Sequence, residues 1–350
     1  MNEWERPLFF EKNRVWRVYT GGALFSGFFG DDSTDGFEPE EWVASSVRAK
    51  NKVCRGEKEG VSRIEGGGAF FDDLLREHPR EMLGERTSFP VLTKVLDSAV
   101  RLPVQAHPDK AFSRKHFDSD YGKAESWVVL ATRPGACLYF GFREALTKAA
   151  FAAAVEKSLT DKNAMVPLLN RVPARPGDVF FVPARMVHAI GAGCLVLEVQ
   201  EPTDFTIQPE HWCADYALND QEMYCGLDPD TALDVFDYDV FGEAAIARGR
   251  RAPRVLAEAG GCRRESLISE ADTPCFSVER LTLDSCEYAL PQAPAVYVVV
   301  DGEGVIANKG YERRLKKGDY FFLPYAAAGT RVGTDRSLTL VACLPPESPA

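Results

Sequence analysis

Gly177-Asp178-Val179-Phe180-Phe181-Val182-Pro183 has a counterpart in Gly318-Asp319-Tyr320-Phe321-Phe322-Leu323-Pro324: a Gly-Asp turn, four apolar residues and a proline at identical spacing. The turn dipeptide opens each run, the aromatic and β-branched residues suit a buried strand, and proline, which lacks an N–H, ends it. A repeat of this kind predicts two copies of one β unit. The copies differ five residues after the proline, where the first has His188 and the second has Gly329. A ligand-type side chain is therefore kept in the first copy only.

Working outward, Trp42 to Val47, Phe89 to Leu96, Tyr121 to Leu130 and Leu195 to Val199 read as strands around the first copy. Phe276 to Leu283, Ala295 to Val300, Gly304 to Ala307 and Tyr320 to Leu323 do so around the second. Phe70 to Glu85, Arg143 to Asn170 (two helices) and Pro229 to Phe236 carry helical spacing, while Gly66-Gly67-Gly68 reads as a loop. Ala247 to Pro253 looks like a linker. The expected organisation is a first domain over 1–245, with a helical segment at about 143–171, and a second, all-β domain over 246–350.

The chain has 350 residues, 45% hydrophobic and 27% charged, ordinary proportions for globular domains. Forty-one basic against fifty-two acidic residues leave a net charge of -11, which argues against a nucleic-acid surface but permits a small anionic ligand. No apolar run reaches membrane-spanning length, and Met1-Asn2-Glu3-Trp4-Glu5-Arg6 is acidic where a secretory leader would be basic, so a cytoplasmic protein is expected. The nine cysteines include no Cys-x-x-Cys pair. They read as reduced, structural residues, with Cys137, Cys194 and Cys343 acting as small hydrophobes.

Leu102-Pro103-Val104-Gln105-Ala106-His107-Pro108 reads as an extended run, so Gln105 and His107 leave one face while Val104 and Ala106 leave the other. Lys123, Glu125 and Trp127 likewise share a face of the next strand. Alone, each of these polar residues has an ordinary structural explanation. Together, Gln105, His107, Glu125 and His188 would supply two nitrogens and two oxygens from neighbouring strands, a set suited to zinc and tolerable to iron, manganese or nickel. His78, His116 and His211 lie in helical or loop contexts and are expected to face solvent. Lys94 is conspicuous in an apolar strand, with snorkelling to the strand end as its common explanation.

The Gly-Asp turn, strand, proline and histidine together are similar to the second motif of cupins. The resemblance implies a mainly β fold of two cupin-like double-stranded β-helix (jelly-roll) barrels with a small helical insertion, the second barrel free of metal. More specifically, the chain resembles the type I mannose-6-phosphate isomerases of the short bacterial kind, from about Trp16 to Gln200 and more faintly beyond. The carriers are Phe89 to Lys94, Val104 to Asp109, Gly122 to Trp127, Val182-Pro183 with His188 to Gly193, and Leu197 to Gln200.

The resemblance implies a zinc-dependent interconversion of mannose 6-phosphate and fructose 6-phosphate through a cis-enediol(ate), with zinc held by Gln105, His107, Glu125 and His188. It places the family's active-site lysine on Lys123, for proton transfer or oxyanion stabilisation, with simple pairing to Glu125 as the structural alternative. Where the family carries a Thr-Xaa-Arg segment whose arginine lines the site, this chain has Thr206-Ile207-Gln208, so Gln208 keeps a hydrogen-bonding group but no fixed charge. Lys94, Lys123 and Arg185 are the cations nearest in sequence that could replace it. Two other readings stand beside the isomerase: a sugar-binding cupin without turnover, and another metal-cupin enzyme such as an epimerase or an iron dioxygenase. Gln105 weighs against the dioxygenase, whose sites favour histidine-rich or two-histidine, one-carboxylate sets.

Overall fold

The structure is a computed structural model that describes residues 2–51, 55–56 and 58–347. It is mainly β. One sheet runs in the order Arg250–Arg251, Val179–Val182, Glu125–Thr132, Cys194–Gln200, Leu92–Ser98, Glu40–Val43 and Arg14–Val15. Opposite it stands a short sheet of Leu169–Pro173, Cys137–Phe142 and His188–Ile190. The largest sheet system belongs mostly to the C-terminal part, running from Tyr320–Leu323 through Ala295–Asn308, Ser337–Leu344, Ser277–Asp284 and Cys262–Ile268 to the edge strand Arg254–Ala259. The N-terminal Leu8–Phe9 adds itself to that sheet by pairing with Phe321 and Phe322.

Among the described residues, period-two alternation divides most apolar side chains among three large cores, with a small fourth cluster of Val15, Trp42 and Leu92. Trp127, Val129, Phe180, Val182 and Val196 turn toward Leu138, Phe140 and Ile190 of the short sheet. Their neighbours Val128, Phe181, Leu195 and Leu197 turn the other way, onto Val278, Val296, Val298, Phe322 and Val341 of the C-terminal sheet. The remaining face of the C-terminal strands, including Leu281, Tyr297, Val299, Phe321 and Leu340, closes on itself as a third core. That interior is filled by hydrocarbon and aromatic groups, whereas the first one is opened by polar residues.

The two repeat copies occupy equivalent places. Val179–Val182 pairs with Glu125 to Val128, and Tyr320–Leu323 pairs with Ala295 to Val298. Several expected elements change on folding. The helix expected over 70–85 is two, Phe71–Glu77 and Pro79–Leu83, because Pro79 has no N–H to continue the first and instead starts the second. Of the helical segment at 143–171, Lys148–Ser158 is a true helix, capped by the Thr147 hydroxyl and burying Phe151 and Val155. Pro167 stops further helix beyond a single tight turn, and Leu169–Pro173 becomes a strand instead. The expected linker is structured: Ala247 to Gly249 finish the helix Gly242–Gly249, and Arg250–Arg251 pairs with Val179 and Phe180. Among the described residues no helix is long and apolar enough to cross a membrane.

Candidate metal centre and substrate cavity

The stretch Leu102 to Pro108 is extended, as expected, yet forms no regular strand, since prolines at 103 and 108 remove donors from both ends. Two isolated bridges hold it. Gln105 and His188 exchange both backbone hydrogen bonds at 2.9 Å, and Ala106 pairs with Ile207. Val104 and Ala106 enter the first core, leaving Gln105 and His107 on the cavity side. Glu125 opens its strand and Trp127 follows on the same face, while Lys123 sits in the loop before the strand.

His107 Nδ1 bonds the Phe205 carbonyl at 2.9 Å and His188 Nδ1 bonds the Met186 carbonyl at 2.8 Å. A carbonyl can only accept, so each ring carries its proton on Nδ1 and presents an Nε2 lone pair inward. These lone pairs lie 3.2 and 3.3 Å from the two Glu125 carboxylate oxygens, with the rings 4.8 Å apart. Burial, against the pull of Glu125, lowers both imidazoles from their ordinary range, His188 to about 3. Burial alone would raise the Glu125 carboxyl, but Lys123 and His107 hold it well below the usual range.

Three acceptors thus converge with no proton between them. Lys123 Nζ partly answers this, at 2.8 Å from His107 Nε2 and 2.7 Å from Glu125 Oε2, so its pairing with Glu125 is present. His188 Nε2 has no hydrogen-bond partner although fully buried. Donor atoms of His107, Glu125 and His188 all lie within 4.8 Å of one another, the single such group among the described residues. An orphaned imidazole nitrogen facing an ionised carboxylate fits a divalent cation, which would bind without displacing protons.

The adjoining cavity of about 460 Å³ has a charged wall. Register sets it: Trp42, Lys94, Glu198 and Trp127 stand side by side across four strands. Lys94 lies 3.2 Å from Glu198 and 3.7 Å from Glu40, so it is buried and paired instead of snorkelling to water. Arg17 pairs with Glu40 at 3.0 Å and Asp204 at 3.2 Å. Burial opposes but Arg17 and Lys94 prevail in pulling Glu40 down to about 2. Burial, with the nearby Glu125 charge, raises Glu198, against the pull of Lys94.

Gln208 lines the cavity and donates to the Glu222 carbonyl at 2.9 Å. Of the proposed replacement cations, Arg185 lies outside the cavity and bonds the carbonyls of Asp234 and Val235. Lys94 and Lys123 line it, each tied to carboxylates. Sequence reasoning missed Arg17, Glu40, Lys50, Glu198 and Asp204. Glu198 carried the same signal as Lys94, a charge in an apolar strand; Lys50 carried none. The Lys50 ammonium lies over the Phe205 ring, 4.0 Å from its centroid. The ammonium is exposed and makes no ion pair among the described residues, while the Lys50 backbone N–H donates to Asp204 Oδ2 at 2.8 Å. His78, His116 and His211 are half-buried and not free in solvent: His78 stacks on Trp4 at 3.8 Å, His116 lies by Phe112, and the His211 Nε2 is enclosed.

Residues 40–139 match the model of the phosphomannose isomerase type I catalytic domain. The mannose-6-phosphate isomerase ManA of Bacillus subtilis (strain 168) is 30% identical over 329 residues, which cover 91% of this chain and 93% of that one. In fold, the chain is similar to the crystal structure of the mannose 6-phosphate isomerase from Bacillus subtilis, with a TM-score of 0.77 at 23% identity over 97% of this chain and 99% of the other. It is also similar to a mannose 6-phosphate isomerase bound with zinc and yttrium, with a TM-score of 0.68 at 17% identity over 96% and 98% of the two chains. With identity at this level sustained over nine-tenths of both chains, the protein belongs to the type I mannose-6-phosphate isomerase family.

Proposed function

We propose that the protein is a zinc-dependent isomerase interconverting mannose 6-phosphate and fructose 6-phosphate. The observation that carries this reading is the trio of His107, Glu125 and His188, with His188 Nε2 unsatisfied beside an ionised carboxylate. Zinc would be held by these three and by the oxygen of Gln105, whose backbone is locked to His188 and which lines the same cavity. The metal, when bound, supplies Lewis acidity toward the oxygens of C1 and C2.

The chain's own groups do the rest. Lys123, within contact of two of the ligands, borders the reacting oxygens and serves them as a proton or hydrogen-bond donor. Glu198, whose carboxyl is raised, is suited to accept the proton that moves between C1 and C2. The phosphate lies toward Lys50, because Arg17, Lys94 and Lys123 are already matched by Glu40, Glu198, Asp204 and Glu125. An anion needs a cation whose charge is not already spent on a neighbour. Gln208 adds a hydrogen-bonding group without charge.

The two-barrel architecture, 1–245 and 246–350, is part of this proposal. The separate apolar cores and the equivalent strands Val179–Val182 and Tyr320–Leu323 support it. Leu8–Phe9, which completes the C-terminal sheet, makes the two units interdependent. The second barrel holds no metal and braces the first. A sugar-binding protein without turnover is not favoured, since relatives matching nine-tenths of the chain are named isomerases and the His107, Glu125 and His188 group is kept. The deciding experiment is a metal-replete assay on mannose 6-phosphate following fructose 6-phosphate formation; absence of turnover with stoichiometric zinc bound would end the isomerase reading.

A further inference from the structure

Cys262 and Cys286 lie 24 residues apart in sequence, and their sulfurs are 2.8 Å apart, closer than two thiols sit in ordinary contact. The remaining described cysteines have no sulfur neighbour of this kind: Cys194, Cys213 and Cys225 point at backbone carbonyls. The approach is built into the backbone. Cys262 opens the strand Cys262–Ile268, opposite Leu283 of Ser277–Asp284, and Ser285 in a left-handed conformation turns the chain so that Cys286 comes back beside it. Gly261 makes room: a Cβ there would meet the Asp284 carbonyl oxygen at 2.3 Å and the Cys286 Cβ at 3.3 Å, and its φ of +81° suits glycine. Both cysteines are partly exposed, so a small oxidant can reach them.

We propose that Cys262 and Cys286 are a disulfide-forming pair that ties the outer hairpin of the C-terminal barrel to its neighbouring strand. The tie has a mechanical purpose. The hairpin's outer strand, Arg254–Ala259, is exposed along its whole length at the sheet edge and, among the described residues, its one strand partner is Cys262–Ile268. A link from the first residue of that inner strand to Cys286 anchors the hairpin at its turn.

The oxidant is a low-molecular-weight disulfide such as oxidised glutathione. The thiolate of one cysteine attacks a glutathione sulfur, forming a mixed disulfide and expelling one glutathione thiolate. The second cysteine's thiolate attacks the protein sulfur of that mixed disulfide, forming the Sγ–Sγ bond and expelling the second glutathione. Two electrons pass from the cysteines to glutathione, and the two thiol protons end on the two released glutathiones. Burial and then contact with Cys286 push the Cys262 thiol up to about 11, so closure is slow at neutral pH and quickens as pH rises.

The test is incubation of the native full-length protein with oxidised glutathione, followed by non-reducing peptide mapping and thermal melting. A cross-linked peptide joining Cys262 to Cys286, two hydrogens lighter than the free pair, is expected. It should come with a melting temperature about 4 °C above that of the reduced protein. The variant Cys286→Ser should instead retain one glutathione on Cys262 and show no such rise. Separate glutathione adducts on both cysteines of the native protein, or a cross-link that appears only in denaturant, would overturn the pairing. A cross-linked protein that melts with the reduced one would overturn the anchoring role.

Discussion

Replacing Lys50 by Met removes the ammonium while keeping a stem that can lie on Phe205, which the lysine covers at 4.0 Å. If Lys50 meets the phosphate, the loss is a hydrogen bond to a charged group, worth about 1.5–3 kcal/mol, or about ten- to 150-fold in kcat/KM. Exposure of the lysine and salt screening place the effect toward the lower part of that range at physiological ionic strength. The assay is steady-state conversion of mannose 6-phosphate at several salt concentrations, beside the slow reaction of unphosphorylated mannose. The loss should appear mainly in KM, shrink with added salt, and be absent with mannose. Inorganic phosphate should also inhibit the variant more weakly. An unchanged KM for mannose 6-phosphate, or equal losses on both sugars, would refute the assignment and return the phosphate to Arg17 or Lys94.

Gln208→Arg adds a charge-assisted donor in the cavity and should raise turnover on mannose 6-phosphate by about ten- to a hundredfold at equal metal loading; unchanged kinetics would mean that the charge is already supplied elsewhere. The double variant of His107 and His188 to Ala should carry no zinc by elemental analysis, and stoichiometric zinc in it would remove the site from these residues. Glu198→Gln should lower kcat at least a hundredfold with little change in KM; near-normal kcat would release Glu198 from the proton transfer. Glu40, held near 2 in the fold against 4.5 unfolded, contributes about 3 kcal/mol that is complete above pH 4.5 and is lost as pH falls toward 2. Acid titration of Glu40→Gln should therefore show a flatter fall in stability over that window, and an unchanged slope would mean that the pairing with Arg17 and Lys94 adds nothing net.

The sequence by itself determined what depends on near neighbours in the chain. The unbroken apolar runs Val179–Val182 and Tyr320–Leu323 specified buried strands, and Gln105 and His107, two apart in an extended run, had to share a face. The exchange of His188 for Gly329 between repeat copies placed a ligand-type side chain in the first copy only, and His188 stands beside His107 and Glu125. The helix readings over 70–85 and 143–171 passed over two prolines: Pro79 divides the first into two helices, and beyond Pro167 the chain becomes a strand that needs Cys137–Phe142 to pair with. Only the tertiary structure decided how the charges are shared. Arg17, Glu40, Lys94, Glu198 and Asp204 come from distant segments, and whether a buried lysine is free or paired is set by strand register, a long-range property. The same holds for Lys50 at the cavity and for Cys262 against Cys286, since packing and a left-handed turn bring such groups together while their spacing in the chain carries no period to read.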